Sequence, residues 1–241
     1  MIGTYLNAAA IILFGIVALA SGQFSPRLQG ALKGLLGVMT VFVGLRLTVT
    51  SLGGSLGQVF KQFVIIMASL VAGNLLGRLL HLQEASNRVG QYARNQIEQA
   101  AAAGSRPKFG NGFTTASLLF CLTPLAVLGA LQDGLGNKWQ TLAIKAVMDG
   151  LATMAFVSTF GASVLWSALP VLAFQGTLTL GGQYLGGILP NALLVDSINA
   201  TGGFLVFAVS LVIFEFRKVR LADMLPSLIV APLLTWLWLV R

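Results

Sequence analysis

Residues 150–195 read GLATMAFVSTFGASVLWSALPVLAFQGTLTLGGQYLGGILPNALLV, forty-six positions without one charged side chain. A transmembrane helix needs about 20 consecutive apolar residues, so this run is long enough to cross a bilayer twice. Residues 2–26 and 109–132 are also free of charge. Over the whole chain 56% of residues are hydrophobic and 9% are charged, where soluble domains carry about 25% charged residues. The apolar runs are continuous and rich in Leu, Ala and Gly, without the alternation over ~10-residue segments that a barrel strand requires. Helices satisfy every backbone group internally, as hydrocarbon demands. An all-α membrane protein is therefore expected.

About eight transmembrane helices are predicted, at 2–20, 28–48, 61–81, 111–131, 139–160, 163–187, 196–215 and 222–240, in a single polytopic domain over 1–241. Ser25-Pro26 reads as a helix cap followed by proline at the first helical position. Lys33 and Arg46 lie roughly 20 Å apart along the second span at 1.5 Å rise, so each can reach its own interface. Pro107 closes the polar stretch before the fourth span, and Pro190-Asn191 marks the turn before the seventh. Ala18-Leu19-Ala20 resembles a signal-peptidase site, but residues 1–10 lack the basic flank of a signal peptide, so the first helix is read as retained.

The net charge of +8 fits the positive-inside rule better than nucleic-acid binding. Alternating spans place ten of the 15 Lys and Arg residues on one side, among them Arg78, Arg88, Arg94 and Arg217, and five on the other. The richer side is assigned to the cytoplasm, with both termini outside. In the one polar insert, 83–108, Val89, Tyr92, Ala93, Ile97 and Ala100 recur at helical spacing. That pattern fits an amphipathic helix on the membrane surface or a helical cap over the protein. His81 and Cys121 are read as structural residues.

Ala31-Leu32-Lys33-Gly34-Leu35-Leu36-Gly37 resembles Ala143-Ile144-Lys145-Ala146-Val147-Met148-Asp149, and Gly73-Asn74-Leu75-Leu76-Gly77 resembles Gly182-Gln183-Tyr184-Leu185-Gly186. The lysine-to-glycine separations are 40 and 37 residues. Helices in 2–81 then match those in 111–187 as a 3+3 inverted repeat, an arrangement used by secondary transporters. Two C-terminal helices in 196–240 follow. The paired glycines let helix backbones approach closely.

One histidine, one cysteine and seven acidic residues yield no nucleophile–base–orienter set, and no enzyme, cofactor or metal site is expected. Asp149, ten residues into the fifth span, is the leading candidate, because an intramembrane carboxylate is costly and is retained for a function or a partner. Lys145 precedes it by one turn, so the two form either an ion site or a structural ion pair. Gln132 and Asp133 close the fourth span. That span also holds Thr115, Ser117 and Thr123-Pro124, where proline removes a backbone donor and frees carbonyls for a cation. A similar interruption is expected at Pro170, Gln175-Gly176 and Gly181-Gly182. Asn7, Asn199 and Thr201 are further intramembrane polar groups.

Gly112-Phe113-Thr114-Thr115-Ala116-Ser117-Leu118-Leu119-Phe120-Cys121 and Gly129-Ala130-Leu131-Gln132-Asp133-Gly134 resemble the signature of a bacterial membrane family known as domain of unknown function 554. Lys145 through Asp149-Gly150, Pro170 with Gln175-Gly176, and Ile2-Gly3-Thr4 with Asn7 extend the likeness over nearly the whole chain. The resemblance implies a multi-spanning prokaryotic protein of transporter type and supplies no substrate. Leu122-Thr123-Pro124 departs from the family pattern, which has glycine and a small residue or methionine there.

The expected function is a secondary transporter or channel for a small ion or solute, a monovalent cation or a proton being the candidate, with Asp149, Lys145, Asp133, Gln132 and Gln175 lining the path. The competing reading is a membrane scaffold or regulator acting through 83–108. Expected partners are the lipid bilayer, that ion or solute, and further copies of the chain, with no nucleic acid.

Overall fold

The computed structural model describes residues 1–21, 24–102, 109–136, 138–189 and 191–240. Pro107 and Pro190, with Arg106 and Lys108 of the polar insert, lie outside the described residues. The described residues are helical, with no strand among them. The helices are α1 (Ile2–Ser21), α2 (Pro26–Thr50), α3 (Leu56–Leu79), α4 (Leu82–Ala102), α5 (Phe109–Cys121), α6 (Pro124–Gly136), α7 (Gln140–Phe160), α8 (Ala168–Ile188), α9 (Ala192–Ile213), α10 (Leu221–Met224) and α11 (Ser227–Thr235). A 3₁₀ segment, Gly161–Ser167, joins α7 to α8, and a π turn, Trp236–Val240, follows α11. Six stretches are long and apolar enough to cross a membrane, or seven if the bent pair α5–α6 counts as one span. One of the six is the 49-residue run Gln140–Ile188.

Local sequence explains several boundaries. Ser25 Oγ accepts from the Leu28 amide at 3.3 Å, and Pro26 opens α2, as expected. Asn191 caps α9 by accepting from Leu193 N at 2.9 Å. The break at Thr123-Pro124 is real and bends α5 from α6 by 59°. The interruption expected at Pro170 and Gln175-Gly176 is absent, because α8 runs unbroken from Ala168 to Ile188. Pro170 sits in the first turn, where no helical donor is required. The break lies upstream at Gly161, whose φ of 70° suits glycine.

Polarity is distributed inside out. Leu13, Val49, Leu169 and Ile229 are each more than half exposed, whereas Asn7, Asp133, Gln175 and Asp223 are fully buried. Such a surface suits lipid.

The chain forms two compact units, Met1–Lys33 with Ala85–Gly182, and Gly34–Glu84 with Gln183–Arg241. In the first, α1 lies along α7, with Gly3 against Leu142, Gly15 against Thr153, and Gly150 against Phe14. The core holds Ile11, Met154, Phe156, Phe160, Val164 and Val171. Ile97 and Ala100 of α4 pack on this core, and Ala93 is buried, so protein covers that part of the insert's apolar face.

In the second unit, α2 crosses α9 where Gly44 and Gly203 bring the two backbones together, and Thr48 Oγ1 donates to Gly44 O at 3.0 Å and Ala200 O at 3.3 Å. Gly73 and Gly77 of α3 seat directly against the backbone at Ser227 and Asp223, the close approach expected of that pair. Gly203→Val is expected to destabilise by about 1–3 kcal/mol or more, since backbone cannot yield as a side chain can. Thermal unfolding in detergent checks this, with Gly57→Ala unchanged in midpoint because its Cβ meets nothing within 4 Å.

Candidate functional site

Four polar residues recur every fourth position along α7: Thr141, Lys145, Asp149 and Thr153. At helical spacing they form one stripe, and all are buried. The stripe spans roughly 18 Å at 1.5 Å per residue.

The Lys145 ammonium donates to Asp149 Oδ2 at 2.5 Å, and Asn7 Nδ2 on α1 donates to the same oxygen at 3.0 Å. The side chains of Lys145 and Asp149 keep only 2% and 8% of their exposure. Thr153 Oγ1 donates to the Asp149 carbonyl at 2.7 Å. One turn before Lys145, Thr141 Oγ1 donates to Gln132 Oε1 at 2.7 Å. Gln132's neighbour Asp133 accepts the Gly3 amide at 3.1 Å, a carboxylate serving the donor-rich start of α1. The α-amino nitrogen of Met1 lies 3.4 Å from the same oxygen. α8 joins through Thr4 and Thr179, whose hydroxyls lie 3.1 Å apart.

α1 and α8 run antiparallel, since Thr4 meets Thr179 while Gly15 meets Leu165, just upstream of α8. Asn7 and Gln175 each lie one turn from the Thr4–Thr179 contact, at the same level. Both amide atoms of Gln175 are buried without a hydrogen-bond partner, as are Asn7 Oδ1, Gln132 Nε2 and Asp133 Oδ1. These atoms supply three free acceptors and two free donors on α1, α6 and α8.

The structure thus gathers Asp149, Lys145, Asn7, Asp133, Gln132 and Gln175 along α1, α6, α7 and α8 of one unit. Two further expected residues lie on α5. Ser117 Oγ donates to the Phe113 carbonyl of its own helix at 2.6 Å. Thr115 is buried, and its hydroxyl has no hydrogen-bond partner. Thr4, Thr141, Thr153 and Thr179 add to the residues expected from the sequence, where the four-residue period on α7 is readable.

Other polar groups have separate settings. His81, at φ 54°, links α3 to α4 with Nδ1 3.2 Å from Glu84. Asn199 and Thr201 are buried on α9, each with an unpartnered oxygen. Asp223, also unforeseen, is fully buried in the second unit and accepts from Gln83 N at 2.8 Å and Arg220 Nε at 2.6 Å. Gln83 Oε1 accepts the Ala222 amide in return, at 3.1 Å. Asp223 lies at the start of the predicted span 222–240, and Gly77 packs directly on its backbone. Among the described residues no three of His, Cys, Asp and Glu gather as a metal site.

A family model described as "Protein of unknown function (DUF554)" matches residues 2–236. The "Uncharacterized membrane protein YdfK" of Bacillus subtilis (strain 168) is 26% identical over 234 residues, covering 96% of this chain and 94% of that protein. The "Uncharacterized protein YqgA" of Escherichia coli (strain K12) is 24% identical over 239 residues, covering 99% and 97%. No solved structure matches the chain.

Proposed function

The chain belongs to this family of helical membrane proteins, and from that premise we propose that it transports a small ion or solute through the polar interior of its first unit, rather than acting as an enzyme. One observation carries the reading. A buried polar stripe, with a charged pair at its centre, is bordered by side-chain atoms that have no protein partner. Each such atom costs about 1–3 kcal/mol when left unsatisfied. An ion or polar solute passing along α7 would satisfy them in turn. Asp149 binds the coupling species, a monovalent cation or a proton, and Lys145 balances the carboxylate between turnovers.

The topology belongs to the same proposal. Gln140–Ile188, at 49 residues, accommodates two crossings of about 20 residues each when divided at Gly161. With α5–α6 as one bent span, the chain then crosses eight times, with both termini outside the bacterial inner membrane. Gly73 and Gly182, equivalent in the inverted repeat, both seat against neighbouring backbone, which supports that repeat. The packing of Ile97 and Ala100 on the core favours transport over a scaffold that spreads α4 on lipid.

Proteoliposomes holding the purified protein are expected to take up a monovalent cation, or to move protons, faster than empty vesicles and in a saturable manner. Equal rates in both preparations across Na⁺, K⁺ and proton gradients overturn the proposal. Gln175→Leu separates transport from helix glue. Removing unpartnered amide atoms in favour of an apolar side chain of similar volume is neutral or stabilising. The thermal midpoint is therefore expected to hold or rise while uptake falls several-fold. A fall in midpoint with unchanged uptake makes Gln175 structural.

A further inference from the structure

Between α4 and the end of α5 lies a groove of about 430 Å³. One wall is polar and belongs to α4, where Ser86, Gln91 and Arg94 face the space and Gly90 leaves it open. The floor is Leu119, Leu122 and Thr123, which are the last turn of α5 and the break itself. Thr123 Oγ1 is buried there without a partner. α4 carries Glu84, Arg88, Arg94 and Glu98, a density of charge that hydrocarbon does not tolerate, so the groove is wet.

The opposite side of that same turn faces the candidate site. Phe120 is 1% exposed, stacks on Phe156 at 5.9 Å between ring centroids, and has the Lys145 ammonium 6.0 Å from its own centroid. Pro124 has no amide hydrogen, so the Phe120 carbonyl loses its donor four residues on. One helical turn, already weakened by the 59° bend, therefore separates a wet groove from the Lys145–Asp149 pair.

Resting on the transport reading, we propose that this groove is the aqueous vestibule of the pathway and that Phe120 is its gate. The species admitted is a small hydrated cation or a proton. The ring blocks water by its apolar bulk when packed on Phe156, and its face attracts a cation that has shed water. The break at Thr123-Pro124 lets the ring swing without unwinding an intact helix.

The test combines thiol labelling with flux. In a Cys121→Ser background, Thr123→Cys is expected to react with a membrane-impermeant, positively charged thiosulfonate more slowly than the open position Gly90→Cys but clearly faster than the fully buried Ala126→Cys, which stays protected. Phe120→Ala is expected to raise cation flux several-fold. Phe120→Leu, nearer in volume and easier to fold, is expected to raise it less. Protection of Thr123→Cys beside measurable wild-type flux overturns the vestibule. Unchanged flux in both Phe120 variants, with both folded, overturns the gate. Labelling of Thr123→Cys in a protein that moves no cation overturns the transport reading instead, so the two failures are distinguishable.

Discussion

The paired substitution Lys145→Gln/Asp149→Asn is expected to leave the protein folded and to lower cation-dependent uptake to the level of empty vesicles. Both charges disappear together, so no uncompensated ion remains in the apolar interior. Replacing a buried ion pair by neutral groups of similar volume is often neutral or stabilising, by about 1–4 kcal/mol where packing is good. The two amides can keep the hydrogen bond between positions 145 and 149, and residue 149 can still accept from Asn7. What the variant loses is a fixed negative charge able to hold a cation or carry a proton. Size-exclusion chromatography and thermal unfolding would establish the fold, and proteoliposome uptake the activity. A folded double variant that transports at the wild-type rate removes the pair from the mechanism.

Lys145→Ala alone is expected to cost about 3–5 kcal/mol, the usual penalty for stripping one partner from a buried pair. Asn7 would still donate to Asp149 Oδ2, but a neutral amide does not balance a carboxylate in this setting. Against a total stability of about 5–15 kcal/mol, such a loss leaves a protein that is poorly folded at working temperature. Asp149→Ala should cost a comparable amount by stranding the ammonium. The double alanine variant should cost less than the two single losses combined, with a coupling of about 0.5–3 kcal/mol. Thermal unfolding of the three variants in detergent measures this. Single losses below about 1 kcal/mol would match an exposed pair and contradict the burial of these residues.

Much of the fold is legible in the sequence because hydrocarbon imposes a simple rule on each segment. Ser25-Pro26 and Asn191 mark helix starts by local chemistry, and Thr123-Pro124 marks the bend, since a missing amide hydrogen has the same consequence in any tertiary setting. Pro170 is less legible. Its effect depends on whether the helix has begun two residues earlier, and Gly161 upstream carries no side chain to announce a break. The Lys145–Asp149 pair is readable from i, i+4 spacing on one helix, whereas the Asn7–Asp149 contact joins residues 142 positions apart and follows only from α1 packing along α7. Asp223 is hidden for a similar reason. Its burial goes with the close seat of Gly77, on a distant helix, and nothing in its own neighbourhood separates it from an interfacial carboxylate at the start of a span.

The most direct measurement is isotope-edited infrared difference spectroscopy of the carboxyl region as cation concentration or pH is stepped. A side chain that binds the transported species should give a carboxylate band that shifts on titration, responds to exchange into D₂O, and vanishes in Asp149→Asn. A band at Asp149 that stays fixed under every cation, throughout the pH range in which the protein remains folded, would mean the pair is a sealed strut between helices. Permeation along α7 would then be contradicted.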